Sequence, residues 1–180
     1  MKKLVIVLAL VASVGLNAKN LSDEEFVKLF NDCLYNKNKV SCQKLIDGKH
    51  LKSVEQCDDG ITCNSIGFAY DVTENYQQAN LYYKKACDTF NEPNSCFNLG
   101  LSYYEGQGVR QDFAKARHYS EKGCKLNIGE ACNNLGFLYG EGKGVRQNNS
   151  TAKKYFGKAC DLGNQMGCDN YKILNETGIQ

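Results

Sequence analysis

Residues 131–147 read ACNNLGFLYGEGKGVRQ, and residues 95–111 read SCFNLGLSYYEGQGVRQ, nearly the same phrase thirty-six positions earlier. Cys96, Leu99, Gly100, Tyr103, Ala116, Tyr119 and Cys124 all return at that interval, as Cys132, Leu135, Gly136, Tyr139, Ala152, Tyr155 and Cys160. So do Gly106, Gly108, Val109, Arg110 and Gln111, as Gly142, Gly144, Val145, Arg146 and Gln147. A fixed period of this size is the mark of a repeat architecture, in which one supersecondary unit is stacked on the next. Leu99, Gly100 and Tyr103 lie three to four apart, the spacing of a buried helical stripe, and Ala116, Tyr119 and Gly123 repeat that spacing. Each copy therefore reads as two antiparallel helices, A and B. The glycines between them suit positive-φ positions that end helix A and turn the chain back. Gly100 and Gly136 fall inside helix A, where close approach of helix B is expected to compensate their low helix propensity.

A third copy lies upstream at Cys63, Gly67, Tyr70, Ala79, Tyr82 and Cys87, shortened by four residues and without the Gly-x-Gly-Val turn. A partial copy begins at Gly167-Cys168-Asp169-Asn170. The run Gly140-Glu141-Gly142-Lys143-Gly144 is a turn rather than a phosphate loop, because no Ser or Thr follows the lysine and Gln107 stands at its place one copy earlier.

The chain opens with Met1, Lys2, Lys3, an apolar run from Leu4 to Leu16 and a small residue at Ala18, the pattern of a secretory signal peptide. Removing residues 1–18 takes away Lys2 and Lys3 and leaves twenty basic residues against twenty acidic. A neutral chain without basic blocks has no electrostatic footprint for nucleic acid or anionic lipid. The rest has no apolar run of about twenty residues, so no transmembrane segment is expected. All ten cysteines lie beyond residue 18, an even number in a chain read as exported, which favours disulfides over reactive thiols.

These residues resemble the Sel1-like repeat, a relative of the tetratricopeptide repeat with the pattern LG-x-x-Y-x-x-G-x-G-V and a later alanine. With cysteines in every copy and an export signal, the chain is similar to the cysteine-rich secreted Sel1 proteins of Helicobacter and its relatives. The resemblance implies an all-α, right-handed α/α superhelix of disulfide-bridged helix hairpins. It covers residues 59–180, while residues 19–58 match in cysteine rhythm alone. The expected organisation is a signal peptide at 1–18 and one solenoid over 19–180. That solenoid divides into atypical hairpins at 19–58, repeats at 59–94, 95–130 and 131–166, and a capping helix at 167–180.

The cysteines fall as near neighbours, Cys33 with Cys42, Cys57 with Cys63, Cys87 with Cys96, Cys124 with Cys132 and Cys160 with Cys168. Each couple straddles the corner between one helix B and the next helix A, where a bridge pins consecutive repeats. Spacing by itself leaves the connectivity open, since ten cysteines permit many pairings, and the repeat supplies the constraint. Zinc sites commonly space ligands two to four residues apart. These gaps are wider and the chain has only His50 and His118, so no metal and no cofactor is expected.

Relatives of this kind are often labelled penicillin-binding proteins or beta-lactamases, so an enzyme reading stands as the alternative. Serine beta-lactamases use Ser-x-x-Lys with Ser-Asp-Asn and Lys-Thr-Gly. Ser41 with Lys44 and Ser150 with Lys153 match the first element, and neither of the others occurs. Nine serines and nineteen lysines yield about one such match by chance. His118 and His50 read as surface or packing residues.

In a solenoid of paired helices the A helices line the concave side. With Leu99, Gly100 and Tyr103 toward helix B, Phe97, Leu101 and Tyr104 form a second stripe. Its equivalents are Asn64, Phe68 and Asp71, then Asn133, Phe137 and Gly140, then Asp169 and Ile173. Aromatic anchors among amides suit an extended peptide. Asn98, Asn134 and Asn170 hold one register, with Ser65 in the first copy, either to bond a peptide or to brace a neighbouring repeat. Glu105 and Glu141 edge the same stripe. The expectation is a secreted or periplasmic, monomeric binding scaffold for a protein or extended peptide, with a beta-lactam or cell-wall peptide as the other ligand considered.

Overall fold

The computed structural model describes residues 23–48, 51 and 53–177; residues 1–18 of the signal reading and His50 lie outside them. Among the described residues are nine α-helices and no strands. In order they are α1 (Asp23–Leu34), α2 (Lys39–Asp47), α3 (Gly60–Val72), α4 (Tyr76–Phe90), α5 (Pro93–Glu105), α6 (Phe113–Lys125), α7 (Gly129–Glu141), α8 (Asn149–Asp161) and α9 (Gln165–Glu176). The helices form two compact units, one ending at Phe90 and the other beginning at Asn91.

In the first unit α1 pairs with α2 and α3 with α4. Phe26, Phe30, Cys33, Cys42, Leu45 and Ala69 make one core cluster. Cys57, Cys63, Ile66, Tyr82 and Ala86 make another. Burial holds the Tyr82 hydroxyl neutral well above the usual tyrosine range. Within the stretch read as atypical hairpins, residues 23–47 form the helix pair α1–α2, joined by Cys33–Cys42.

The second unit is the phrase that repeats. Helix α5 packs on α6, α7 on α8, and α9 on α8, while α6 meets α7 between hairpins. Its core is small: Ala116, Ala131, Ala159, Cys124 and Cys132 surround Leu135 and Leu138. Tyr103 stacks on Tyr119 and Tyr139 on Tyr155, with ring centroids 5.7 and 5.5 Å apart, so the repeated tyrosines clasp helix A to helix B in both copies.

Helices α5 and α7 each end on a left-handed glycine, Gly106 at φ 79° and Gly142 at φ 70°, whose N–H bonds back to Ser102 O and Leu138 O. The glutamine that closes the phrase has a structural duty. Gln111 Nε2 donates to Tyr104 O at 2.8 Å and Gln147 Nε2 donates to Gly140 O at 2.7 Å, satisfying carbonyls that the helix end leaves without a partner. The next helix starts on a side-chain cap, Asp112 Oδ1 accepting from Lys115 N at 3.0 Å and Asn148 Oδ1 from Thr151 N at 2.9 Å.

Helix B approaches closely at the interior glycines, as the sequence led us to expect. A Cβ on Gly136 would lie 2.4 Å from Cε1 of Phe156, whereas one on Gly100 would meet Ser120 Oγ at 3.0 Å. Gly136→Ala is therefore expected to cost about 1–3 kcal/mol of stability through overpacking. Gly100→Ala is expected to stay within about 1 kcal/mol of wild type, because the gain in helix propensity offsets a small shift. Urea unfolding of the two variants checks the order, and equal losses would contradict it.

Candidate binding face and disulfide clamps

Four bridges sit at hairpin corners: Cys33–Cys42, Cys57–Cys63, Cys124–Cys132 and Cys160–Cys168, with Cα–Cα distances of 4.8, 5.4, 4.6 and 4.4 Å. Cys87 and Cys96 are disulfide-bonded as well, and no cysteine is free. Helix B reaches its corner through a left-handed residue at Asn127 (φ 65°) or Gly163 (φ 84°), and helix A resumes within two residues. That tight turn brings Cys124, on the last turn of α6, against Cys132, on the first turn of α7. Lys158 adds a strap, its ammonium donating to Cys124 O at 2.9 Å.

In the first unit Asn64 and Phe68 are half-buried on α3. In the second, Phe97, Asn98, Leu101 and Tyr104 on α5 and Asn134 on α7 are half-buried, and Phe137 is 37% exposed. Asn133 departs from the reading that set it on an open stripe: it is 2% exposed and accepts a hydrogen bond from Asn170 Nδ2 at 3.1 Å. The next A helix covers it, so this amide braces α7 to α9 instead of meeting ligand. Phe97 and Tyr104 likewise pack in part against the core.

Phe137 and Ile173, assigned to one stripe from their spacing, do come together. With Gly136, Gly140, Glu141, Asn149, Phe156, Asn170 and Leu174 they line an open cavity of about 250 Å³. Phe137 meets Phe156 edge to face, centroids 5.3 Å apart at 82°. The cavity thus offers aromatic and aliphatic walls, two amides and one carboxylate. Glu141 binds Lys143 at 2.7 Å, and this carboxylate, followed by the Tyr104 hydroxyl, holds the Lys143 ammonium above its ordinary pKa.

The two Ser-x-x-Lys elements lie in different units. Ser41 is 6% exposed on α2 with Lys44 in solvent. Ser150 is on the first turn of α8, and Lys153 Nζ lies 5.8 Å from the ring centroid of Tyr171. His118 is exposed and meets Tyr119 edge to face. Among the described residues no group of three His, Cys, Asp or Glu side chains is placed to hold a metal, and no helix is long and apolar enough to cross a membrane.

Sequence alone missed the seals made by Gln111 and Gln147, and of the two roles it left open for Asn170 the bond to Asn133 is the brace to a neighbouring repeat. The glutamines were visible as repeated letters without an assigned role. Asn133 was not identified as the acceptor of that brace, because its spacing set it on the open stripe.

The profile of the Sel1 repeat matches residues 59–88, 93–128 and 129–164. Cytochrome c oxidase assembly factor 7A of Xenopus laevis is 42% identical over 72 residues, 36% of this chain and 31% of that protein. The putative beta-lactamase HcpC of Helicobacter pylori is 45% identical over 42 residues, 23% of this chain and 14% of that one. The chain therefore spans about a third or less of these relatives. Among solved structures, a Sel1 repeat protein from Oxalobacter formigenes superposes with a TM-score of 0.63 at 25% identity, over 79% of this chain and 61% of the other. Helicobacter pylori cysteine rich protein B gives 0.50 at 26% identity, over 85% and 98%. Matched over more than half its length, with glycines, tyrosines and alanines placed as the repeat requires, the chain belongs to the Sel1-repeat family.

Proposed function

We propose that this protein is an exported scaffold that captures an extended peptide, or such a segment of a protein, on the A-helix face of its second unit. The observation that carries the reading is the open cavity between α7 and α9, where Phe137 and Ile173 supply apolar contact and Asn170 and Asn149 supply amides within one side chain's reach. Aromatic anchors in a concave apolar setting, rimmed by hydrogen-bonding groups, are the usual means of holding a peptide. Export to an oxidising compartment, periplasmic or extracellular, is supported by the bonding of all ten cysteines. A scaffold built of hairpins fixed at their corners presents this face with little flexibility, which lowers the entropy lost on binding.

The test is capture of an immobilised random-peptide library by the oxidised chain, beside the variant carrying Phe137→Ala with Ile173→Ala. Both side chains are exposed, 37% and 56%, so the fold should survive their truncation. Retention is expected to fall at least about tenfold, a loss of about 1.4 kcal/mol. Equal retention by the double variant would remove the cavity from the binding face.

A further inference from the structure

The cavity has a filled counterpart thirty-six residues earlier. There Tyr104 and Phe113 set their rings edge to face, centroids 5.5 Å apart at 65°. Lys143 lies over both rings, 5.0 and 5.4 Å from their centroids, and donates to the Tyr104 hydroxyl at 3.1 Å. One copy later Gly140 stands where Tyr104 stood and Asn149 where Phe113 stood. Two rings have been taken out of the repeat at this place. Gly140 and Asn149 are both in the lining of the open cavity.

The rest of the site has been remade to suit a ring. Phe156 replaces Ser120 of the earlier copy and takes the space beside Gly136, where it and Phe137 form an edge-to-face floor. Ile173 and Leu174 of α9 make the apolar wall. Asn170 is anchored on Asn133 through one donor, and a carboxamide with one donor engaged keeps further capacity for a peptide backbone. Glu141 is the charged side chain of the lining, and its carboxylate, paired with Lys143 through Oε2, keeps acceptor capacity for a basic residue beside the ring.

We infer that this cavity is a binding site for an aromatic side chain, phenylalanine or tyrosine, of an extended peptide. The ligand's ring takes the place that Tyr104 and Phe113 fill in the preceding copy, and a lysine or arginine beside it takes the place of Lys143. The inference rests on the peptide-capture reading and narrows it to a residue class at one place.

The repeat also supplies the control. Gly140→Tyr with Asn149→Phe rebuilds the ring pair that the chain already accommodates one copy earlier. A Cβ on Gly140 meets only Ala152 Cβ, at an ordinary 3.6 Å, so the new tyrosine has room to start. The measurement is binding of the labelled, oxidised full chain to an array of peptides with all twenty residues permuted at the central position and Lys, Ala or Glu beside it. Expected are a preference of about tenfold for Phe and Tyr over Ala, a further gain with Lys over Glu, and loss of the aromatic preference in the refilled variant. Unfolding of that variant by heat checks that it is folded, with a midpoint no lower than wild type. Binding that is indifferent to the central residue and to the refilling overturns the aromatic site while leaving peptide capture standing. No binding to any peptide overturns both. A wild-type dimer in sedimentation that the refilled variant dissolves overturns the proposal in favour of a second copy as occupant.

Discussion

Reducing the disulfides is expected to lower the thermal midpoint of the oxidised chain by about 20 °C or more. The described bridges close short loops, with sequence separations of 9, 6, 8 and 8. In the chain-entropy picture each such loop contributes about 2–3 kcal/mol by restricting the unfolded chain. A domain's whole net stability is about 5–15 kcal/mol, so losing several of these at once removes a large part of it. The composition of the core sharpens the expectation. Around Leu135 and Leu138 the second unit buries mainly alanines and the cystine itself, and these small side chains supply little apolar area of their own. Cys33, Cys42, Cys57, Cys63 and Cys132 are 0% exposed, so reduction also places unbonded thiols in a core shaped for bridges. Circular dichroism melts with and without a phosphine reductant make the measurement. A cooperative transition retained within a few degrees would show that helix packing alone holds the repeats.

Leu99→Ala and Leu135→Ala are expected to destabilise the chain by about 3 kcal/mol each, within the about 2–5 kcal/mol range for fully buried leucines. Leu99 is 1% exposed and Leu135 0%. The neighbours of Leu135 are largely alanine and cystine, whose short side chains cannot collapse into the space a leucine leaves. Leu101, two residues along the same helix as Leu99 and half-buried, is the comparison, and its truncation is expected to cost about 1 kcal/mol or less. Denaturant midpoints of the three variants separate the stripe that faces helix B from the stripe beside it. A Leu101→Ala loss as large as the other two would contradict that division.

Much of the fold was legible because a repeat states its rules twice. Leu99 and Leu135 mark the buried stripe, the paired glycines mark the turn, and Gly100 and Gly136 mark the close approach of helix B. These signals are local, so an interval of thirty-six residues exposes them. What was not legible concerns the meeting of one copy with the next. A helical wheel puts Asn133 beside Phe137 on an open stripe, but the wheel does not include α9, which lies over Asn133 and donates the bracing hydrogen bond from Asn170. The corner residues Asn127 and Gly163 also escaped notice, since asparagine and glycine share the left-handed region without sharing a letter. The same limit concealed the cavity. Gly140 in place of Tyr104 reads as an ordinary lapse of the repeat until α9 is seen to wall the space it leaves.

The most direct test of peptide capture is a backbone and side-chain NMR titration of the isotope-labelled, oxidised chain with the tightest peptide from the array. Shift changes are expected to concentrate at Phe137, Gly140, Asn170 and Ile173, the residues of α7 and α9 that face the cavity. Changes confined to the exposed residues of helix α8, such as Lys154, or an absence of saturable changes anywhere, would contradict binding on the A-helix face.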